Sequence, residues 1–415
     1  MNSEKEAPPS PGRSTRQDLE VLVEGREKVF GANPKLTVEE IRKAKDSVFM
    51  PTPNEGLEYN SETELFNQVR AFIVEHVELP ADVYHDVSAL FVLATWRVKQ
   101  ARNATYLNLL ASHGNGKSTL CEILRLLCFK SIHSEGATRG AIIRVSNGNE
   151  CTLILDESDN WLNPRDFDNP LEAVINAGYR RRFLGGGVLI CEPNKDKKYE
   201  PVQLDSFGFK VIAGRNPLNA VLGSRCITIR MRKSNRKFPK IDEMEAWNLR
   251  KQLYTYQLRH EEKPLEHDSV NRIADGRLRE IFEPLLAAAP TETIREHLIT
   301  FANEEYERRR KEELSSDEAT IARAVLEIAD KEPRSTITIK EISDAVNYQV
   351  TNPKEQISRK YVGVLLKRHG FISEHGRDGN SIRVDKGHLE YLRERYTPEE
   401  KPVVGALEII LNATN

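Results

Sequence analysis

The stretch Thr105-Tyr-Leu-Asn-Leu-Leu-Ala-Ser-His-Gly-Asn-Gly-Lys-Ser-Thr119 decides how this chain folds. Its first part, Thr105–Leu110, is a short apolar run that is typical of a buried strand, and Leu120–Lys130 follows at helical spacing. Between them lies a glycine loop, Ser112–Thr119. A strand, a glycine loop and a helix in this order point backbone N–H groups and the helix dipole at one place, so the stretch predicts a phosphate-binding site.

The Gly-Lys-Ser order inside the loop predicts contacts with a nucleotide. We expect Lys117 to contact the β- and γ-phosphates and Ser118 to give its hydroxyl to Mg²⁺. The usual motif begins with a glycine where this chain has Ala111, which is tolerable if that residue keeps an ordinary backbone conformation. The predicted ATP-binding residues of the loop are Gly114, Asn115, Gly116, Lys117, Ser118 and Thr119.

Two carboxylates follow a second apolar run. Cys151–Leu155 ends in Asp156 and Glu157, in the pattern of a buried strand leaving the core. An Asp at such a strand end beside a phosphate loop holds the Mg²⁺ shell, and the following Glu can deprotonate the attacking water. We therefore predict Asp156 as a second metal ligand and Glu157 as the catalytic base of a nucleotide-hydrolysing enzyme.

Two further positions are candidates for catalysis. The run Phe209–Ala213 ends in Gly-Arg-Asn, so Asn216, or Arg215 as the alternative, is expected near the γ-phosphate and the water. Arg225 precedes the apolar run Cys226–Met231 and can reach the γ-phosphate of a neighbouring subunit, as an arginine finger does. A turn-forming Asn before Pro and an exposed arginine beside a strand are the plainer interpretations of these residues.

Strands that alternate with helices predict an α/β fold with a mostly parallel sheet, here a P-loop NTPase core with a helical lead-in and a C-terminal winged-helix domain. The winged helix is predicted from the order of its elements, which is a helix, a strand, two helices and a hairpin that ends at Val384. The predicted divisions are a flexible tail over 1–57, a helical lead-in over 58–102, the core over 103–241, a helical lid or connector over 242–314, the winged helix over 315–397 and a tail over 398–415.

Composition excludes several classes of protein. The formal net charge is -2, so any nucleic-acid site must be a local patch. The five cysteines form no Cys-x-x-Cys pair, which argues against a zinc ribbon. No apolar run approaches the length of a membrane helix, and the N-terminus opens no signal sequence, so the sequence predicts a soluble, cytoplasmic protein without a membrane partner.

The chain from about Val83 to Ala289 resembles the P-loop, AAA+-like ATPases of phage and plasmid replication proteins and primase-helicases known as domain-of-unknown-function family 3631. The matching stretches are Gly114–Thr119, Thr152–Asp159, Asn176–Arg181, Ile212–Arg215, Ser224–Arg230 and Arg279–Ala289, with Ile357–Phe371 similar to the closing segment of the family. The resemblance implies an ATPase that works on DNA, often beside a primase. If this chain takes part in priming, we expect the primase to be a separate polypeptide. It also implies a second sensor that contacts ATP in cis, for which Arg277 and Arg279 are the candidates.

Basic residues cluster in places that suit a DNA backbone. Gly223–Lys240 holds seven Lys or Arg and no acid, which a phosphate footprint requires. Tyr179–Arg182 predicts a mobile basic loop facing the channel of a ring, although a helix C-terminus with cations against its dipole fits as well. The predicted DNA contacts are Arg180, Arg181 and Arg182 in this loop, Arg359, Lys360, Lys367 and Arg368 on a recognition helix, and Arg377 and Arg383 on a wing.

Two functions remain open from the sequence. One is an ATP-driven motor of the helicase or translocase kind that acts on single- or double-stranded DNA as a homo-oligomer, for which a ring is one expected form. The other is a non-processive ATP switch or loader that binds duplex DNA through its winged helix and regulates a partner protein. Winged helices also dock proteins, so the DNA contact itself is an expectation.

Overall fold

The computed structural model describes residues 47–397 except 137, 161, 163–169, 184–186, 194–198, 333–334, 349, 351, 353–355 and 377–378. The chain divides into two units, Met1–Asn303 and Glu304–Asn415. Residues 1–46 of the predicted N-terminal tail, the predicted tail over 398–415 and the predicted wing residue Arg377 lie outside the described residues.

The first unit begins with two helices that pack on each other, α1 (Glu62–His76) and α2 (Asp82–Trp96). The Ser61 side chain accepts a hydrogen bond from the Glu64 N–H and so caps α1. Arg70 joins the helices because its guanidinium lies 2.6 Å from a carboxylate oxygen of Asp86. The stretch 58–102, predicted as a helical lead-in, thus contains α1 and α2, and its role as a separate domain stays a prediction.

A core of alternating strands and helices follows the helical pair. Its elements are β1 (Tyr106–Leu110), α3 (Lys117–Leu127), β2 (Ser131–Ser134), α4 (Arg139–Ser146), β3 (Thr152–Leu155), α5 (Pro170–Ala177), β4 (Val188–Pro193), β5 (Tyr199–Leu204), β6 (Lys210–Gly214), α6 (Ala220–Gly223) and β7 (Cys226–Arg230). Five strands form one sheet in the order β2-β3-β6-β1-β7, and every pairing in it is parallel. The parallel sheet predicted from the alternating strands and helices is confirmed.

The strand register places all the carboxyl ends at one edge of the sheet. Leu110, the last residue of β1, is level with Gly214 of β6 and with Arg230 of β7. Leu155 of β3 is level with Ile212 of β6 and with Ser134 of β2. Loops that leave these strand ends therefore meet, at what we call the carboxyl edge.

The sequence patterns missed three strands of this unit. The strand β2 reads Ser-Ile-His-Ser, which has too few apolar residues to stand out. The strands β4 and β5 form a separate antiparallel hairpin, with Val188 paired to Leu204 and Pro193 to Tyr199. The basic loop predicted from the sequence ended before this hairpin, and the run Val188–Cys191 was not recognised as one of its strands.

Residues 47–57, which the sequence grouped with a flexible tail, contact the core. The Met50 N–H donates to the Ser131 carbonyl, and the Leu57 N–H donates to the Lys251 carbonyl. Arg250 is fully buried and donates to the Pro51 carbonyl at 2.7 Å and to the Cys128 carbonyl at 2.8 Å. Because a buried guanidinium needs such acceptors, it ties this segment to the core.

Three helices complete the predicted connector: α7 (Glu243–Arg259), α8 (Gly276–Ala288) and α9 (Glu292–Leu314). The helix α8 packs on α2, and the hydroxyl of Thr105 donates to the Ile281 carbonyl at 2.7 Å. Asn103 likewise donates to Glu283. These contacts place α8 beside the residues that lead into β1, at the amino end of that strand.

The second unit contains α10 (Asp317–Lys331), β8 (Thr336–Thr338), α11 (Ile339–Asn347), α12 (Arg359–Arg368), β9 (Ser373–Gly376), β10 (Gly379–Arg383) and α13 (Lys386–Tyr396). The three strands pair antiparallel in the order β8-β10-β9. One core of buried side chains from α10, α11 and α12, among them Val325, Ile342 and Leu365, is closed by Ile382 and Tyr396. The helices and the hairpin expected from the sequence are present in this order.

A buried lysine lies at the amino end of β6. Lys210 is fully buried, and its ammonium donates to the carbonyls of Ser206 at 3.0 Å and Gly208 at 2.9 Å. Gly178 packs so closely here that an added Cβ would lie 2.6 Å from the Lys210 Nζ and 2.1 Å from the Ser206 oxygen. Burial lowers the pKa of Lys210 from 10.5 to about 7.

We expect Lys210→Met to change how stability depends on pH. The unfolded chain keeps the Lys210 proton up to pH 10.5 while the folded chain loses it near pH 7, so folding is penalised at low pH. Between these values the free energy of unfolding of the wild type should rise relative to Lys210→Met by about 1.4 kcal/mol per pH unit. Urea unfolding from pH 7 to 9.5 measures this difference.

The exposed Lys99→Met variant controls for the loss of one positive charge. Parallel pH curves for the wild type and Lys210→Met would show that the buried ammonium does not lose its proton on folding.

Candidate functional site

The predicted phosphate loop, Ser112–Thr119, has the backbone that such a loop needs. Gly114 and Gly116 have positive φ angles of 74° and 81°, which other residues rarely adopt. Gly116 is also the N-cap of α3, and the first helical bond runs from the Leu120 N–H to its carbonyl. Ala111 is not among the described residues with a positive φ. The alanine at the first glycine position is therefore compatible with the turn.

Lys117, the first residue of α3, is held at the mouth of the loop. Its Nζ donates to the Ala111 carbonyl at 2.8 Å and to the Gly214 carbonyl at 3.0 Å. The first N–H groups of a helix have no partners within the helix, so those of α3 face the same space as the ammonium. Both features favour an anion at this point.

Asp156 lies beside the loop, at the carboxyl end of β3. Its Oδ2 accepts a hydrogen bond from the Ser118 hydroxyl at 3.3 Å, and its Oδ1 accepts from the Glu157 N–H at 2.8 Å. His133 and these two donors hold the pKa of the buried carboxyl below its ordinary value, although burial acts in the opposite direction. The predicted pair of metal ligands, Ser118 and Asp156, is thus brought together.

Glu157, the next residue, has an unusual backbone conformation. Its φ is 51°, in the left-handed region that residues other than glycine occupy at a cost of about 1–2 kcal/mol. Strain of this kind concentrates at functional sites. The exposed Glu157 carboxylate accepts a hydrogen bond from the Asn160 side chain at 3.0 Å. A second exposed carboxylate, Glu135, follows β2 and lines the same space.

Asp159 fixes the turn that follows β6. Its carboxylate accepts from the N–H groups of Arg215 at 2.7 Å and Asn216 at 2.8 Å. Burial would raise the pKa of Asp159, but these donors outweigh it and keep that pKa below its ordinary value. The Arg215 guanidinium lies 3.1 Å from the ring nitrogen of His113 in the loop.

These residues line one polar cleft of about 410 Å³ at the carboxyl edge. Its lining residues are Ser112, His113, Gly114, Asn115, Gly116, Lys117, Ser118, Thr119, Glu135, Asp156, Glu157, Asp159 and Arg215. Arg215 thus reaches the cleft and Asn216 is not among its lining residues, which favours the alternative that the sequence ranked second. Ligands of open parallel sheets bind at such an edge.

Arg225 lies at the opposite end of the strands. Cys226, the first residue of β7, is level with Tyr106, the first residue of β1, whereas the loop follows the end of β1. At the usual rise per residue the two ends are roughly 13 Å apart along the strand. Arg225 donates to the Val221 carbonyl at 2.6 Å, and its guanidinium lies 5.8 Å from the centre of the Tyr179 ring.

Arg277 lies in the same place, and the structure does not bring it to the cleft of its own chain. Its guanidinium lies 5.3 Å from the centre of the Tyr179 ring and pairs with Glu280 at 2.7 Å. Tyr179 is at the amino end of β1, because its carbonyl accepts from the Ala104 N–H. The helix α8 packs at that end, and Arg277 is not among the residues that line the cleft. We call Arg225, Tyr179, Arg277 and Glu280 the arginine cluster.

The three arginines of the predicted basic loop have different roles in the fold. Arg181 donates to the carbonyls of Ala101 at 3.0 Å and Val98 at 2.8 Å, pairs with Glu150 at 2.6 Å, and lies over the Phe207 ring. These contacts occupy its guanidinium, so the structure does not present Arg181 to DNA. Arg180 and Arg182 are exposed.

The hairpin that follows these arginines carries exposed apolar side chains. Phe183 precedes it, Leu189 lies in β4 and Tyr199 begins β5, and all three are largely exposed. Residues 194–198, which join the strands, read Asn-Lys-Asp-Lys-Lys and lie outside the described residues. Two strand-like runs on either side of five polar residues could have revealed this hairpin from the sequence.

The predicted recognition helix of the second unit is α12. Lys360, Lys367 and the strand residue Arg383 are exposed, as are Arg359 and Arg368. Arg359 lies 3.6 Å from a carboxylate oxygen of Asp344, and Arg368 lies 3.3 Å from one of Glu318. The helix thus presents cations together with exposed Tyr361 and Val364.

Comparison with known proteins does not assign a family. No protein-family model matches the chain, and no curated protein matches it. The resemblance to family 3631 therefore stays an expectation. Within the described part of the chain, none of the helices has both the length and the apolar character needed to cross a membrane.

Several solved structures are remotely similar. The apo structure of the NrS-1 C-terminal region is 12% identical with a TM-score of 0.36, over 88% of this chain and 90% of that one. Drosophila ORC bound to DNA is 14% identical with a TM-score of 0.22, over 85% and 98%. The ORC2 protein of Aeropyrum pernix is 12% identical with a TM-score of 0.23, over 79% and 97%. Similarities this weak carry no argument about fold or function.

Proposed function

We propose that this chain is an ATP-hydrolysing enzyme, a P-loop ATPase of the AAA+-like kind, that acts on DNA as an oligomeric motor in a replication or mobile-element system. One observation carries the nucleotide part of this proposal. A glycine loop, the Lys117 ammonium, the Ser118–Asp156 pair and the Glu157 carboxylate converge on one cleft at the ends of parallel strands. Each of these groups suits a different part of nucleotide hydrolysis, which an unrelated set of polar turns would not explain.

The residues of the cleft divide the work of hydrolysis. The N–H groups of the loop and Lys117 would bind the phosphates, and Glu157 would accept a proton from the attacking water. Ser118 and Asp156 offer oxygen donors 3.3 Å apart, and such hard donors suit Mg²⁺. When bound, Mg²⁺ would neutralise charge on the β- and γ-phosphates. Arg215, anchored by Asp159, would lie at the γ-phosphate end of the cleft.

The arginine cluster supports the oligomeric part of the proposal. Arg225 and Arg277 lie at the end of the strands away from their own cleft, so neither can act on the nucleotide of its own chain. A cationic pair at that end suits the phosphates of a neighbouring subunit. We therefore assign both residues to the neighbour's site, which moves Arg277 from the cis role that the sequence implied to a trans role.

The DNA part of the proposal rests on two surfaces, one in each unit. In the first unit, exposed Arg180 and Arg182 precede the hairpin, and exposed Phe183 and Tyr199 offer rings on which bases can stack. In the second unit, we propose that α12 docks in a major groove as the recognition helix of a winged helix, with β9 and β10 as the wing. A separate primase or other replication protein is the partner that this role would require.

The switch or loader remains the second candidate, and the cations of α12 are the observation that favours it. Sequence-specific duplex binding with slow hydrolysis that ignores DNA would support the switch. Strong stimulation of hydrolysis by DNA, together with strand displacement, would support the motor.

We expect Glu157→Gln to bind ATP normally but to hydrolyse it about 10²-fold more slowly or worse, because the general base is lost. Steady-state phosphate release and equilibrium binding of a fluorescent ATP analogue measure the two effects. Lys117→Ala, which removes the ammonium, should lose binding itself. Glu135→Gln is the matched control, since this carboxylate lines the same cleft. Normal turnover in Glu157→Gln with slow turnover in Glu135→Gln would assign the base to Glu135 instead.

We expect Arg225→Ala and Arg277→Ala each to lose turnover as pure proteins, by up to about 10³-fold, and to regain part of it when mixed with Glu157→Gln. In the mixed oligomer an intact Glu157 site faces an intact arginine cluster. Hydrolysis rates across mixing ratios measure the recovery. Arg279→Ala is the matched control, because Arg279 donates to the Ile273 carbonyl within its own unit. If the mixture at no ratio hydrolyses ATP faster than the sum of the rates of the two variants measured alone, the trans assignment is wrong.

We expect Lys360→Ala with Lys367→Ala to weaken duplex binding for all sequences alike. Each lost phosphate contact should lower the slope of log affinity against log salt by about 1, because fewer counterions are released. Fluorescence anisotropy at several salt concentrations measures both quantities. Arg393→Ala is the control, because Arg393 lies on α13 and forms an ion pair with Asp330 of α10. Unchanged affinity and slope in the double variant would mean that α12 docks a protein.

A further inference from the structure

A cluster of three metal-binding side chains lies next to the cleft. The Cys121 thiol, a ring nitrogen of His133 and a carboxylate oxygen of Asp156 all lie within 4.8 Å of one another. Cys121 is fully buried and His133 is half-buried. Of the three, only Asp156 also lines the cleft. The cluster therefore lies behind the phosphate loop and shares one carboxylate with the proposed Mg²⁺ site.

The fold produces this cluster from three neighbouring elements. Cys121 comes one helical turn after Ser118 on α3, so both side chains lie on the same face of the helix. His133 on β2 is level with Ile154 on β3, and Asp156 comes two residues after Ile154. Because side chains two apart in a strand share a face, His133 and Asp156 lie on the face of the sheet that α3 covers.

The donor set differs from that of a magnesium site. Mg²⁺ takes oxygen ligands almost exclusively, whereas thiolate and imidazole ligands suit Zn²⁺ and related cations. The Nε2 atom of His133 is buried without a hydrogen-bond partner and lies 3.8 Å from the Oδ2 atom of Asp156. Three protein ligands with an open fourth position are the usual arrangement for a zinc ion that is accessible to another ligand.

We propose that Cys121, His133 and Asp156 bind a zinc-class cation, and that this cation competes with the magnesium nucleotide for Asp156. The Oδ2 atom that faces His133 is the one that accepts the Ser118 hydroxyl, so a cation held by the cluster withdraws this oxygen from the Mg²⁺ ligands. Filling the cluster would therefore hold the enzyme in a state that binds ATP weakly. The binding site stands on its own geometry, and only the competition rests on the proposed ATPase function.

Cobalt is the probe for the first part, since Co²⁺ takes the same ligands as Zn²⁺ and absorbs visible light. Tag-free, nucleotide-free protein is titrated with Co²⁺ under reducing conditions. One Co²⁺ per chain should bind with a thiolate-to-cobalt absorption band, and added Zn²⁺ should remove that band. Cys121→Ser should lose the band, and His133→Ala should lose most of it.

Cys128→Ser is the matched control, because Cys128 is a second buried thiol at the end of the same helix and lies outside the cluster. This variant should keep the band. No band in the wild type, or a band that survives Cys121→Ser, would overturn the metal site, whatever the ATPase assays show.

The second part is tested by adding Mg²⁺ with a non-hydrolysable ATP analogue to the cobalt-loaded protein. Weaker Co²⁺ binding in the wild type, but not in Lys117→Ala, would support competition for Asp156. A band that the analogue leaves unchanged, in a wild type that demonstrably binds the analogue, would overturn the competition and leave the metal site standing. A wild type that binds no analogue at all would overturn the nucleotide proposal together with the competition.

Discussion

The position of β6 between β1 and β3 is the constraint on which the functional cleft depends. Backbone hydrogen bonds on both sides fix its register, with Leu107 level with Val211 on one side and Leu153 level with Lys210 on the other. This register brings the Gly214 carbonyl to the Lys117 ammonium and the turn after β6 to Asp159. A shift of one residue would turn every side chain of β6 to the other face and would dismantle both contacts.

The same register separates the two groups of charged residues. Residues that follow the strands, among them Lys117 and Asp156, lie at the carboxyl edge, whereas Arg225 precedes its strand and lies at the other end. The amino and carboxyl ends of parallel strands lie at opposite edges of the sheet. A residue that precedes its strand is therefore separated, by the length of the strand, from a site formed by the loops that follow the strands. The separation of the cleft from the arginine cluster follows from this geometry, and it is the reason why the proposed oligomer would need both ends of the sheet.

Asp156 links the chemistry of the cleft with the cluster behind it. Its carboxylate faces Ser118 on one side and His133 on the other, and Cys121 lies within 4.8 Å of this pair of potential ligands. The Oδ2 atom of Asp156 could therefore belong to either of two sets of metal ligands. With the Ser118 hydroxyl it forms a set that suits a hard cation, and with the Cys121 thiol and the His133 imidazole it forms a set that suits a softer cation. The second set exists because this chain has Cys121 on α3 and His133 on β2 beside the glycine loop.

The sequence alone determined the elements that are coded locally. A glycine loop between a strand and a helix, and carboxylates at a strand end, depend on the residues within a dozen positions. The sequence therefore singled out Gly116, Lys117, Ser118, Asp156 and Glu157, which the structure places around one cleft. Only the tertiary structure decided the roles that depend on strand order and on contacts between distant residues. It brought Arg215 rather than Asn216 to the cleft, placed Arg277 beside Tyr179, and occupied Arg181 within the fold. It also formed β2, and with it the His133 contact, because a short polar strand is stabilised by its neighbour and not by its own pattern.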